Sequence, residues 1–320
     1  MQNLVTVFGG SGFVGTQAVR QLAKAGCRVR VAVRQTNLAY KMRLLGDVGQ
    51  IDVVQANVRN EASLRRALEG AGAAVNLVGV LYEQGRQGFQ AVHAMGARNV
   101  AEAARAEGVT RLVQMSALGA DSGSHSKYAR TKAEGEQAAR HIYPDAVVVR
   151  PSIVFGAEDQ FFNRFAQMAA ISPFLPLIGG GHTRFQPVFV GDVARALAQA
   201  VTAPEAAGRT YELGGPAILS FRQLMEMMLK ETGHSRILLP IPFSAAGLMG
   251  AAGDLASFVI APPITSDQVE LLRADNVVSG QHPGLAELGI PATSLEAVLP
   301  TYLYRYRKGG QYADQEALAT

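Results

Sequence analysis

Along the first 150 residues, short β-branched runs alternate with longer stretches whose apolar positions recur at helical spacing. The pattern predicts strands at Leu4–Phe8, Arg28–Val33, Ile51–Gln55, Ala73–Val78, Arg111–Ser116 and Ala146–Arg150. Between them it predicts helices at Phe13–Ala25, Leu38–Leu45, Glu61–Glu69, Gln87–Glu107 and Ser126–His141. Strands joined through helices pair in parallel, and the helices cover both faces of the sheet. The expected fold class is therefore α/β, a doubly wound parallel sheet of the Rossmann type with right-handed crossovers. After Pro151 the periodicity loosens. Helices are expected at Gln160–Ala170, Asp192–Val201 and Phe221–Thr232, and Ser172–His182 reads as a turn-rich stretch. We expect a sheet domain over residues 1–155 and a small C-terminal lobe over residues 156–320, with segments that return to the sheet.

Composition narrows the class. Of 320 residues, 48% are hydrophobic and 18% charged, enough for a sizeable core. A formal net charge of +4 gives no reason to expect a nucleic-acid partner. Cys27 is the one cysteine, so no disulfide closes within the chain. The sequence enters a strand at Leu4 with no basic–apolar leader before it, so no secretory signal is expected. No apolar run reaches the ~18 residues of a spanning helix. The nearest, Ile241–Ile264, carries Asp254 and is broken by glycine and proline, so we read it as buried or interfacial.

The first strand–helix junction carries chemistry. Gly9, Ser11, Gly12, Phe13, Val14 and Gly15 lie on a G-x-x-G-x-x-G pattern between the first strand and the first helix. One glycine allows a tight turn, one lets backbone approach a pyrophosphate, and one allows helix and strand to pack closely. The helix N-terminus then offers free N–H groups and a positive dipole end to phosphate. An acid ending the second strand would hold the ribose 2′-hydroxyl of NAD. This strand ends in Arg34, and no Asp or Glu precedes Asp47. A guanidinium suits a 2′-phosphate, so the expected cofactor is NADPH/NADP, with Arg34 as its reader and Lys41 or Arg43 as helper. Asn57 and Val58 follow the third strand and are expected at the adenine. Leu77, Val78 and Gly79 follow the fourth and are expected near the nicotinamide ribose.

Tyr128 and Lys132 form a Y-x-x-x-K pair, which a helix places on one face. An ammonium beside a phenol favours the phenolate, so the pair can act as acid and base or hold the cofactor ribose. Ser116 is the hydroxyl at the end of the fifth strand; Ser122, Ser124 and Ser126 read as loop or capping residues. His93 and His141 read as ordinary helix histidines, and no residue cluster has metal-ligand spacing. The run Tyr302–Lys308 is aromatic and basic. It reads either as the exposed tail of a helix or as a contact with a partner or anionic headgroups.

These motifs, with Arg150-Pro151-Ser152 and Val190-Gly191-Asp192-Val193-Ala194, resemble the extended or atypical short-chain dehydrogenases. Met42–Gln50, the stretch from Val149 to Asn163, and Pro283–Ile290 resemble more narrowly the Rossmann-fold accessory subunits of respiratory complex I. The stretch Phe155-Gly156-Ala157-Glu158-Asp159-Gln160-Phe161-Phe162-Asn163 is the most specific part. The resemblance implies a tightly held NADPH without known turnover, with Pro151 near the cofactor. It also implies docking on complex I subunits where the peripheral and membrane arms meet, near the quinone-access region. Membrane-surface contact would then run through Ile241–Ile264 and the basic C-terminus. With no mitochondrial-style leader, the expected setting is a bacterial one, on the cytoplasmic side of the inner membrane, or the cytoplasm for a free-standing protein. Tyr128 and Lys132 keep two further readings open: an active NADP-dependent reductase, epimerase or dehydratase, and an NADPH-sensing binder.

Overall fold

The computed structural model describes residues 3–256 and 264–312. The chain divides into two compact units. One comprises Met1–Pro151, Val190–Leu213 and Ser279–Pro291; the other comprises Ser152–Phe189, Gly214–Val278 and Ala292–Thr320. Two segments beyond residue 155 thus belong to the unit that carries the main sheet.

That sheet has seven strands: β1 (Leu4–Phe8), β2 (Arg28–Val33), β3 (Ile51–Gln55), β4 (Ala73–Asn76), β5 (Arg111–Met115), β6 (Val147–Pro151) and β7 (Thr210–Leu213). Its order is β7-β6-β5-β4-β1-β2-β3, and every pairing is parallel. The chain winds outward from β1 to β3 and then crosses to β4 on the other side of β1. The reversal leaves a crevice beyond the carboxyl ends of β1 and β4, where open α/β sheets bind ligands. Helices α1 (Phe13–Lys24) and α5 (Val190–Thr202) pack together on one face. The other carries α2 (Glu61–Leu68), α3 (Met95–Ala106) and α4 (Lys127–Ile142). Covered on both faces, β4 is buried along its whole length, as parallel strands require. Small residues on α3 (Ala101, Ala103 and Ala104) are buried in the core, which lets the helix lie close to its neighbours.

Several expected elements are redrawn. Leu38–Leu45 is not an α-helix but two 3₁₀ turns, Thr36–Leu38 and Tyr40–Leu45. Of this segment only Ala39 and Met42 are buried, while Leu38 and Leu44 face solvent, so too little apolar surface is turned inward to hold a helix. The fourth strand ends at Asn76, whose side chain accepts from the Val78 amide and bends the chain out of the sheet. The helix expected from Gln87 begins instead with a π-helical turn, Gln90–Ala94. Strand β7 escaped the pattern because Glu212 interrupts it. That carboxylate is buried, lies 3.7 Å from the Arg150 guanidinium, and accepts from the Ser279 amide.

The second unit centres on an aromatic core that includes Phe155, Phe162, Phe185 and Phe221. Within the expected turn-rich stretch, Phe174–Ile178 forms a strand paired in parallel with Ile237–Ile241. Pro176 and Pro240 are tolerated because a two-stranded pair consists of edges. Of the Ile241–Ile264 stretch, Phe243–Ala256 is a helix with Leu248 and Met249 exposed, and residues 257–263 lie outside the described residues. Among the described residues no helix is long and apolar enough to cross a membrane.

The C-terminal aromatic and basic run is largely bound within its own unit rather than free as a helix tail. Tyr302 donates to the buried Asp159 carboxylate at 2.6 Å, and Arg305 donates to Asn163 and to the Ala157 carbonyl. Arg307 donates to the Glu231 carbonyl. The most specific stretch of the sequence thus receives Tyr302, Arg305 and Tyr306. Burial pushes the Asp159 carboxyl above its ordinary range, and the Tyr302 hydroxyl counters that shift. Tyr302→Phe should therefore destabilise the protein by about 1–3 kcal/mol, the cost of removing one hydrogen bond to a buried carboxylate that then keeps only backbone donors such as the Gly156 amide. A urea titration would show a lower midpoint; an unchanged midpoint would mean that the pair contributes nothing.

Candidate functional site

The first turn is built by glycine where no other residue fits. Gly9 adopts φ +75°, which turns the chain out of β1, and its amide donates to Ala32 on β2. A Cβ on Gly15 would overlap the Gly9 carbonyl oxygen and lie 2.7 Å from Gly10 Cα, so the first turn of α1 rests directly on the loop. Gly12 caps α1 without a side chain, and no acid stands in the first helical turn. The amides of Phe13, Val14 and Gly15 have no acceptor among the described residues. An uncapped, acid-free helix start is an anion site.

This turn forms one end of a cleft of about 270 Å³ lined by Gly9, Ser11, Gly12, Arg34, Asn57, Val58, Arg59, Leu77, Val78, Gly79 and Val80, among others. Arg34, at the tip of β2, is exposed and makes no hydrogen bond or ion pair among the described residues. Lys41 is exposed on the second 3₁₀ turn and does not line the cleft, and Arg43 pairs with Asp52 at 3.4 Å. Asn57 turns its oxygen back to the Arg59 amide. Arg59 itself donates to the Arg86 carbonyl across the cleft's rim.

Beyond Gly79 lies the Tyr128–Lys132 pair. Ser126 caps α4 by accepting from the Ala129 amide, which sets the helix phase. Lys132 is buried, with its ammonium 5.7 Å from the centre of the Tyr128 ring. A Cβ on Gly79 would come within 3.3 Å of Lys132 Nζ, so the glycine permits that approach. Burial lowers the Lys132 pKa to about 8, against the partial support of Glu136 one turn on. Glu136 is itself held by Arg150 through two hydrogen bonds, at 2.9 and 2.6 Å. Ser116 Oγ is buried and has no hydrogen-bond partner among the described residues, an orphan that a bound group would satisfy. Pro151 closes β6, and its carbonyl accepts from the Leu118 amide.

The structure thus brings the glycine turn, Arg34, Asn57, Val58 and Leu77–Gly79 around one cleft and sets Lys132 against its Gly79 end. It leaves Lys41 apart from the lining residues. Sequence reasoning gave His93 no part in the site; it is a buried histidine at the edge of the Tyr128–Lys132 pair. Its ring stacks on Phe89 and meets Tyr128 edge-on at 5.2 Å. The π turn that orients it has no period in the sequence to betray it. The uncapped helix start, the orphan hydroxyl and the unpaired arginine together fit a phosphorylated dinucleotide.

Comparison with known proteins agrees with the dinucleotide-binding fold. The model of the NAD dependent epimerase/dehydratase family matches residues 5–214. NADH dehydrogenase (ubiquinone) 1 alpha subcomplex subunit 9, mitochondrial, of Arabidopsis thaliana is 34% identical over 316 residues, covering 96% of this chain and 79% of that protein. Its counterpart in Mus musculus is 33% identical, with coverage of 95% and 80%. Among solved structures, an NADPH-dependent quinone oxidoreductase of Escherichia coli complexed with NADPH superposes with a TM-score of 0.72 at 21% identity, covering 93% of this chain and 98% of that one. The two sequence relatives are named as mitochondrial proteins, so the expected bacterial setting draws no support from them.

Proposed function

The chain belongs to the NAD dependent epimerase/dehydratase family, and with it to the family of the mitochondrial complex I subunits it matches over nearly its whole length; from that premise we propose that it is an NADPH-binding accessory subunit of respiratory complex I, without turnover of its own. The observation that carries this reading is the reach of the similarity. It covers 96% of the chain, far beyond the residues that any dinucleotide fold requires. In this reading the chain docks on complex I subunits near the junction of the two arms, peripheral to the membrane.

The residues take these roles. The amides of Phe13, Val14 and Gly15, with Ser11 beside them, bind the pyrophosphate, and Gly9 and Gly12 admit it. Arg34 holds the 2′-phosphate alone, since Lys41 lies outside the cleft lining. Asn57 and Val58 flank the adenine. Leu77, Val78 and Gly79, with Ser116 and Pro151, border the nicotinamide half, and Tyr128 and Lys132 hold its ribose. Bound NADPH would supply a hydride donor or, without turnover, binding free energy alone. A ligand at 100 times its Kd stabilises the folded state by about 2.7 kcal/mol.

A second reading, an active NADP-dependent reductase, is favoured by the orphan Ser116 hydroxyl at the end of β5 together with an intact Tyr128–Lys132 pair. Tyr128→Phe separates the two. In cells carrying only this variant, complex I should assemble to the level seen with the native chain, as judged on native gels. Loss of a cellular reduction together with normal assembly would favour the enzyme. Arg34→Glu should weaken NADPH retention roughly 10- to 100-fold relative to NADH, the worth of one charge-assisted contact. An unchanged preference would contradict the 2′-phosphate role.

A further inference from the structure

The buried His93 joins the two walls of the cofactor site, and its hydrogen bonds can run in one direction only. The Val80 amide reaches Nε2 at 3.0 Å, and an amide can only donate, so Nε2 carries no proton. A neutral imidazole then bears its proton on Nδ1, which lies 3.2 Å from Thr131 Oγ1. Thr131 passes its own proton on to the Lys127 carbonyl at 2.9 Å. Burial, and then the Lys132 ammonium, push the His93 pKa down to about 2, so the ring is neutral at any working pH. The relay runs from the segment after β4 to the first turns of α4, between Tyr128 and Lys132.

Packing fixes the ring as firmly as the hydrogen bonds do. His93 lies in the π-helical turn Gln90–Ala94, where one wide turn redirects side chains within an otherwise α-helical stretch. Gly135 on α4 sits against the His93 carbonyl so closely that a Cβ there would overlap it. Phe89 stacks on the ring at 5.3 Å. With Val80 held in this way, Gly79 stays against Lys132 Nζ, where an added Cβ would sit in tight contact at 3.3 Å.

We infer that His93 is a positioning residue that clamps the 79–80 segment to the Tyr128–Lys132 helix and so shapes the nicotinamide half of the site. This rests on the cofactor reading above. It concerns how the site is held and assigns His93 no contact with the cofactor. The adenosine half, at Arg34 and Asn57, lies outside the relay. A positioning role therefore predicts a selective loss that a general packing defect would not produce.

The test uses the full-length protein and two probes, NADPH and adenosine 2′,5′-bisphosphate, the latter engaging the adenosine half alone. His93→Phe keeps the aromatic packing but strands the Val80 donor. It should weaken NADPH roughly tenfold, the cost of about one net hydrogen bond, and leave bisphosphate affinity unchanged. His93→Gln places an acceptor near the former Nε2 and should restore most of the loss. Thr131→Val removes the Nδ1 acceptor without touching the ring. It should also lower NADPH affinity selectively, and it decides the matter should His93→Phe fail to fold. NADPH binding in both His93→Phe and Thr131→Val equal to the native protein would overturn the inference. So would a parallel loss of both probes in Thr131→Val. A native protein that binds neither probe would overturn the cofactor reading itself, an outcome distinct from failure of the clamp alone.

Discussion

The structure of the site depends on a contact made by a missing atom. Gly15 has no Cβ, and α1 can therefore rest on the carbonyl of Gly9 and the backbone of Gly10. Any side chain there would lift the helix away from the loop. Because the helix is seated so low, its first amides face the end of the cleft rather than a capping side chain. The positive φ of Gly9 supplies the turn, and the order of β4-β1-β2 places that turn at the point where the strand order reverses. Everything else in the site is arranged around this seat: Arg34 at the tip of the neighbouring strand, and Gly79 with Lys132 beyond the strand on the other side.

A second constraint keeps the far wall in place. Arg150 lies between Glu136 on α4 and Glu212 on β7, and Glu212 also fixes the returning segment through the Ser279 amide. Buried ion pairs of this kind add little net stability but cost several kcal/mol when one partner is lost. Their use here is geometric. They hold α4 against the sheet at the turn where Glu136 supports the charge of Lys132, and the His93 relay ties the same helix to the segment after β4. The pair Tyr128–Lys132 thus belongs to a braced frame, held to the sheet by Arg150 and to the segment after β4 by His93.

Much of this was legible in the sequence because it follows from period and from glycine. The first six sheet strands and the glycine turn show in the chain's alternation and in the placement of Gly9, Gly12 and Gly15. Arg34 shows as a charge where an acid would serve NAD. What escaped is set by tertiary contact. Strand β7 hides behind Glu212, whose polarity makes sense only beside Arg150. The strand Phe174–Ile178 hides behind prolines that only a two-stranded pair tolerates. The roles of His93 and of Tyr302 with Asp159 depend on partners 38 and 143 residues away, and no local pattern reports those.

The central claim is that this chain carries NADPH as a part of respiratory complex I. The most direct measurement is affinity purification of the tagged protein from gently solubilised native membranes, with co-purifying subunits and released nucleotide assayed in one sample. The account predicts complex I subunits in stoichiometric ratio together with NADPH. Recovery of the chain alone, with readily exchanged nucleotide, would contradict it and indicate a free-standing reductase.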